Sequence, residues 1–511
     1  MMARLAHAEV VAPPLELLGR FTTPGDTAAL GRWLQSQDWA GIDALIVSTD
    51  MLAYGGLVAS RVHGVNEVSA LARLSVLGDV KRANPRLSIL GFSTIMRLAP
   101  TADGTNEAYR EQLARWAEIA GDARPGREAQ ELARLAAAIP PPALDDYRRA
   151  RARNRRVNLA AVQLAADGVI DFLIVSQDDA KPRGVHLADR SAVTTAIAEK
   201  ALAARVGVQP GADEVAMLLL ARSVLHARGL RPTVRATYSS EAARTMVAPF
   251  EDRQLHETVS FQLTSAGASE STRIDAPALD LFVFASRHDP HVPARFASRI
   301  VTAINGGARA IVADVDPKGD VQGGAAGFTE PLLAAKVFPK LYGYASWNTA
   351  GNTLGTAIPQ GLLAWAGSHL ATSCTSPSWA AVAGAQATFM LHRLVNDYAY
   401  QGLLRPGLNA DIRQAGRTPL QLASHAPEVA ARIRDGIAPA LARYAVMFTA
   451  GVFVPPAPAP TDVAVQLGTP RGLQVRLPWG RTFEASITFE LPAAGLAEPA
   501  HRLPACTPVE P

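Results

Sequence analysis

Cysteine is nearly absent from this chain. Only Cys374 and Cys506 occur in 511 residues. They lie far apart and without metal-ligand spacing, so neither a disulfide framework nor a cysteine-bound zinc is encoded in a readable way. Long apolar runs are missing as well. No stretch of about 18 apolar residues marks a membrane span, and the opening MMARLAHAEVVAPP lacks the apolar segment of a signal peptide. The expectation is a reduced, cytoplasmic protein with no membrane partner. Charge of one sign is in small excess, a net +4 with a pI near 9.1. The densest basic run, Arg148 to Arg156, has six Arg in nine residues but no interleaved aromatics. Its spacing Arg149–Arg153–Arg156 reads as a solvated helix face, with Asn154 and Asn158 turned elsewhere. Nucleic acid is therefore not an expected partner. There is no GxSxG, no HExxH, no Lys-containing phosphate loop and no internal repeat. Serine and cysteine nucleophiles are set aside, and neither a cofactor nor a resident metal is expected.

What the chain does have is 48% hydrophobic and 19% charged residues, the composition of a globular protein with a large core. Apolar runs of strand length recur, and each breaks abruptly into polar residues. Asp43–Val47 runs into Ser48, Thr49 and Asp50, then Tyr54 and Arg61. Leu87–Gly91 leads to Arg97, and Ile170–Val175 to Ser176–Gln177–Asp178–Asp179, Lys181 and His186. Arg205–Val208 precedes Pro210–Gly211–Ala212–Asp213–Glu214. Further along, Thr233–Tyr238, Leu281–Phe284, Ala310–Val312 and Leu341–Ala345 behave alike. The last three end near Arg287, Asp314 and Asn348. Glu9–Val11 reads as one more short strand. Helical stretches separate these runs, which argues for βαβ units and parallel sheets. About nine such strands exceed a closed eight-stranded barrel. The expected fold is α/β, with parallel sheets carrying helices on both faces and forming two doubly wound domains. The expected boundaries are 1–240, 241–450 and a small C-terminal β appendage, 461–511, after the linker Pro455–Pro460.

The strongest chemical lead is the pair Asp178–Asp179. Both side chains can face one cleft only if the strand has ended near Gln177. Neighbouring carboxyls in a partly desolvated cleft can split their pKa values and serve as acid and stabiliser. The competing reading is a structural carboxylate paired with a nearby Lys or Arg. Glu214 follows Asp213 at a helix start, where Asp213 suits an N-cap and Glu214 is the better candidate for a site. Asn348, Asn352 and Thr353 surround glycines at a strand-to-helix turn, which suits a ligand oxygen or a close backbone contact equally well. Tyr54–Gly55–Gly56 carries the same ambiguity.

With these residues laid out, the chain resembles a bacterial family catalogued as a domain of unknown function of roughly this length. The matching pieces are Ser48–Gly56, Arg151–Asn154, Gln177–Asp179, Gly211–Glu214, Trp347–Gly355 and Leu477–Glu484. The resemblance covers nearly the whole chain and implies no known activity. Members of that family begin with an additional strand closed by an acidic-Arg-Pro stretch, so the resemblance implies a site strand upstream of Met1.

The function expected from the residues is hydrolysis of a small polyhydroxylated substrate. A glycoside is the first candidate, amino-sugar glycosides included, with the carboxylate pair in an interdomain cleft. Asp178, Asp179 and Glu214 are the expected catalytic groups. Asp50, Tyr54, Arg61, Arg97, Gln177, Lys181, Arg287, Asn348, Asn352 and Thr353 are the expected substrate contacts. Two alternatives stay open. One is a metal-assisted hydrolase of an anionic metabolite, with Asp314, Asp316, His288 and His186 as hard ligands. The other is a non-catalytic two-domain protein that binds a sugar or other metabolite.

Overall fold

The computed structural model describes residues 1–271, 277–370, 376–450, 452–453 and 465–496. Cys374, Cys506 and the linker Pro455–Pro460 lie outside the described residues. The chain divides into two compact units. One comprises Val11–Leu219 with Pro249–Arg253, and the other Met1–Val10, Leu220–Ala248 and Gln254–Pro511.

The first unit holds a four-stranded sheet, β1 (Ala44–Ser48), β2 (Ser88–Ile95), β3 (Phe172–Gln177) and β4 (Val206–Pro210). Its strands lie side by side in chain order, every pair parallel. Parallel neighbours require crossovers, and the intervening helices supply them. All six residues of β3 are buried, which explains its near-continuous apolar sequence. Burying each of its Leu, Ile and Val side chains contributes roughly 1.5–3 kcal/mol. The main core of this unit gathers Leu45, Val47, Ile89, Leu173, Val175, Val157 and Ala161, joining the sheet to the long helix Pro141–Ala166. A second cluster, including Met96, Leu98, Trp116, Ile139 and Tyr147, sits under the helices Arg110–Ile119 and Arg127–Ala138. Arg97 is thus flanked on both sides by buried neighbours.

The helix Arg127–Ala138 ends just before the prolines, and Pro141 and Pro142 open the next one. Proline's fixed φ and missing N–H suit a first turn, where the amide would have no partner anyway. The basic face is not solvated throughout. Arg153 is 1% exposed, its guanidinium lying 4.2 Å from the Tyr54 ring. It donates to the Ser60, Val62 and Val65 carbonyls at 2.6–3.2 Å. One guanidinium thus bridges three carbonyls of a single loop. Arg151 is buried too, against Asp189 at 2.7 Å; Arg149 and Arg156 remain exposed.

The second unit carries a five-stranded parallel sheet in the order β6-β5-β7-β8-β9. The strands are β5 (Thr233–Tyr238), β6 (Ser269–Glu270), β7 (Leu279–Phe284), β8 (Ala310–Asp314) and β9 (Gly343–Ala345). Phe284 stacks on Phe328 with centroids 4.1 Å apart and anchors the core. Glu9–Val11 forms no strand. Just before it, Met2–Ala6 makes a 3₁₀ turn with Leu5 and Ala6 fully buried. Helices Ala350–Leu370 and Ser376–Arg393 pack on the sheet, and Ala426–Thr449 packs against a π-helical stretch at Leu394–Leu404.

The C-terminal strands form small antiparallel sheets. β10 (Val452–Phe453), β11 (Val465–Leu467) and β14 (Ala493–Leu496) make one, and β12 (Arg471–Arg476) and β13 (Ser486–Glu490) the other. Leu467, Leu477 and Ile487 join the core of the second unit. Among the described residues no helix is long and apolar enough to cross a membrane.

Candidate functional site

The carboxyl edge of β1–β4 concentrates buried acids. At the end of β1, Ser48 caps a short helix, Thr49–Tyr54, by accepting the Met51 N–H at 3.2 Å. That cap places Asp50 in the first turn, where its carboxylate accepts the Thr94 N–H at 2.9 Å. Asp50 is 2% exposed. Burial, with the nearby negative charge of Asp178 adding to it, pushes its pKa up to about 7 against the pull of the Thr94 hydrogen bonds. Tyr54 closes this helix and is buried beneath Arg153. The following Gly55 takes φ +88°, and a Cβ there would meet the Gly25 backbone at 2.6 Å. The glycine ambiguity at Tyr54–Gly55–Gly56 thus resolves, at Gly55, as a close approach of two backbones.

β3 ends at Gln177, so Asp178 and Asp179 leave the pleat together. The Asp178 N–H still bonds the Ile95 carbonyl at 3.1 Å, and the Leu98 N–H bonds the Asp179 carbonyl at 3.3 Å. Arg61 aims its Nε and Nη2 at one Asp178 oxygen, at 3.1 and 2.7 Å. The other oxygen accepts the Asp179 N–H at 2.9 Å. Asp179 pairs instead with Arg97. The two neighbours consequently diverge. Burial opposes ionisation of Asp178, but the charges of Arg61 and Arg97 and its hydrogen bonds hold its pKa below the usual carboxylate value. For Asp179 burial prevails over Arg97, and the adjacent Asp178 charge adds to it, raising its pKa to about 6.

Gln177 is 2% exposed. Its Nε2 donates to the Asp178 carbonyl at 2.8 Å, while Oε1 is buried without a partner. Beyond β4, the Gly211 N–H bonds the Gln177 carbonyl at 3.0 Å. Gly211 takes φ +110°, and a Cβ there would lie 1.6 Å from Glu214 Oε1. Only glycine leaves room for that carboxyl group to fold back. Glu214 is fully buried and accepts the Ala212 N–H at 3.2 Å. Burial, then the charge of Asp213, raises its pKa to about 8. Lys181 does not join this group; its Nζ lies 2.8 Å from Glu118 at the surface. His186 is fully buried, with Nε2 3.3 Å from Asp252.

Arg287 and the asparagines lie at the carboxyl edge of the second sheet. Arg287 reaches Asp314 and Asp316, each at 3.3 Å, and the Gly323 carbonyl at 2.7 Å. Asp316 also accepts four backbone N–H groups, from Lys318, Gly319, Val321 and Gln322. Those oxygens hold a loop in shape. Asn352 accepts from Asn348 at 3.1 Å and from Thr349 at 2.6 Å. Thr353 bonds the Trp347 amide and carbonyl at 3.0 and 2.9 Å. Asn348 itself takes φ +54°, a conformation asparagine tolerates better than most. These side chains shape the turn itself. Among the described residues, no group of three or more His, Cys, Asp or Glu side chains is arranged to hold a metal ion.

Sequence reasoning passed over Asp397. It lies in the π-helical stretch, fully buried, accepting the Ser346 N–H at the end of β9 at 2.9 Å. Arg393 pairs with it at 3.2 Å. π-Turns frequently mark functional positions. The available signal was the polar pair Asn396–Asp397 inside the apolar run LVNDYAY.

Fold and site together define an α/β protein with an acidic, arginine-braced site at the carboxyl edge of a parallel sheet. The chain belongs to the family described as Protein of unknown function (DUF4127), whose model matches residues 1–488. No curated protein and no solved structure matches it.

Proposed function

We propose that the chain is a hydrolase of a small polyhydroxylated substrate, most directly a glycoside, with Asp179 as proton donor and Asp178 as the anion beside it. One observation carries this reading: the adjacent carboxyl groups of Asp178 and Asp179 leave the end of β3 with different partners, Asp178 held at both oxygens by Arg61 and a backbone amide and Asp179 paired with Arg97. Unlike surroundings are how two like side chains take acid and anion roles in one site. Asp178 has both oxygens engaged by Arg61 and a backbone amide, which suits a fixed charge. Asp179, with a pKa near 6, can hold a transferable proton close to neutrality. In glycoside cleavage the acid protonates the leaving oxygen while an anion stabilises positive charge developing at the anomeric carbon or orients the nucleophile. Asp50 and Glu214 add further carboxyl groups to hydrogen-bond hydroxyls.

The test is a panel of chromogenic glycosides, N-acetylhexosaminides included, assayed with the full chain. Turnover of at least one member is expected, with kcat/KM falling as pH rises through about 6. Tight sugar binding without turnover of any member replaces the hydrolase with a binding protein.

A further inference from the structure

The run Arg151–Asn154 lies in the middle of the helix Pro141–Ala166 and takes no direct part in the proposed reaction. Its two arginines are nevertheless buried, Arg151 8% and Arg153 1% exposed. A buried guanidinium is costly unless its donors are met. Two positions apart on a helix, these side chains project roughly 200° apart, and they reach different loops.

Arg153 turns to the loop that follows β1. Its Nη2 donates to the Ser60 carbonyl at 2.6 Å, and its Nη1 to the Val62 and Val65 carbonyls at 3.2 and 2.9 Å. Ser60 and Val62 stand on either side of Arg61, whose own guanidinium meets Asp178 at 2.7 Å. Asn154 completes the clamp. Its Nδ2 donates to the same Ser60 carbonyl at 2.9 Å, and its Oδ1 accepts from Arg153 Nε and Nη2 at 3.1 and 2.8 Å. Arg151 turns to the segment that follows β2. Its Nη2 donates to the Met96 and Arg97 carbonyls at 3.0 and 2.5 Å, while Asp189 holds its Nη1 at 2.7 Å. The Tyr147 hydroxyl accepts from the same Nη2 at 2.8 Å and donates to the Leu98 carbonyl at 3.0 Å. The backbone gripped there carries Arg97, the partner of Asp179.

We infer that Arg151 and Arg153 are positioning residues of the acid pair: Arg153 acts through Arg61 on Asp178, and Arg151 acts through Arg97 on Asp179. A planar guanidinium suits the task because its donors hold several carbonyls in one fixed relation, which a single ammonium cannot do. The inference rests on the hydrolase reading only for calling the consequence catalytic; the two relays are read without turnover.

The experiment is a set of double-mutant cycles on the full chain, with Arg153→Lys and Arg151→Lys each combined with Arg61→Met and with Arg97→Met. The readouts are the titration midpoints of the Asp178 and Asp179 carboxyl carbons by NMR, assigned with Asp178→Asn and Asp179→Asn, and kcat on any glycoside turned over. Against burial, Arg61 and Arg97 pull the pKa values of both acids down, so loosening either arginine moves its partner's midpoint up. Arg153→Lys is expected to raise the Asp178 midpoint by roughly one pH unit, and Arg151→Lys the Asp179 midpoint by a similar step. The decisive result is selective. Arg153→Lys is expected to add nothing in the Arg61→Met background and to keep its effect in the Arg97→Met background, and Arg151→Lys to show the reverse. Arginines that merely support the fold predict no such selectivity. Asn154→Ala and Tyr147→Phe loosen the same two clamps, and they take the place of Arg153→Lys and Arg151→Lys if either of those does not fold. Midpoints unmoved by these substitutions, or effects that add equally in both backgrounds, overturn the inference. Selective coupling with no turnover of any glycoside would leave the relays standing and remove the hydrolase. Turnover without that coupling would do the reverse.

Discussion

Replacing Arg61 by Met removes the charge that holds Asp178 ionised while roughly keeping the volume of the side-chain stem. Both partners are sequestered, with side chains 9% and 5% exposed, so the pair is not the weak surface kind. Breaking such a pair from one side leaves a buried, uncompensated charge and costs about 3–5 kcal/mol. In a unit of this size roughly 1 kcal/mol shifts the melting temperature by about 2–4 °C, so its transition is expected to fall by roughly 6 °C or more at pH 7.5. The pH dependence follows from linkage. In the parent, the folded-state pKa of Asp178 lies below its unfolded value. It therefore adds stability above the unfolded pKa, and this is lost as pH falls through the folded pKa. In the variant, burial without Arg61 raises the folded pKa above the unfolded one. The deficit is then greatest at neutral pH and shrinks as pH falls through the raised folded pKa. Adding Asp178→Asn to the Arg61→Met background removes the stranded charge and restores part of the loss. Differential scanning calorimetry of the parent, single and double variants at pH 7.5 and 4.5 measures all of this. A single variant that melts within 2 °C of the parent at both pH values refutes the reasoning.

Other expectations follow from the same geometry. Gly211→Ala forces a Cβ onto the Glu214 carboxyl group at a φ of +110°; activity is expected to drop, and melting to fall, by more than for Gly31→Ala, where a Cβ meets nothing, as turnover and calorimetry would show. Arg153→Lys is expected to destabilise almost as much as Arg153→Met, by about 3 kcal/mol, because one ammonium cannot reach the spread of carbonyls that the guanidinium satisfies; thermal melting of the two variants compares them. Prolonged EDTA treatment is expected to leave melting and turnover unchanged; loss of activity restored by Mn²⁺ or Zn²⁺ would favour a metal-assisted reaction.

Strands were legible wherever burial on both faces left a plain apolar run. Leu281–Phe284 lies within β7, buried throughout, and the run ending at Val175 extends by Ser176 and Gln177, polar residues that still pair in the sheet. The acids of the first sheet were legible for the same reason, since each follows an apolar run. Roles were harder to read. The pairing of Asp178 with Arg61 spans 117 residues, a separation that no local pattern reveals. Arg153 looked solvated because helical spacing records which side chains align, and not which loop's carbonyls await them. The π-helical stretch around Asp397 was missed because its residues also fit an ordinary helical reading. Lys181, adjacent in sequence to the pair, turns to Glu118; nearness along a loop says little about direction.

The central claim is that Asp178 and Asp179 perform chemistry. It is tested most directly by kcat and ligand affinity measured side by side for Asp178→Asn and Asp179→Asn on the best glycoside of the panel. The amide preserves shape but supplies neither proton nor full charge, and acid–base catalysis is typically worth about 10²–10⁴-fold. The prediction for Asp179→Asn is a loss of kcat in that range with affinity changed by roughly tenfold at most, and with the decline of kcat/KM near pH 6 abolished. Variants that turn over as fast as the parent, or that lose affinity and kcat/KM in equal measure at unchanged kcat, would contradict it.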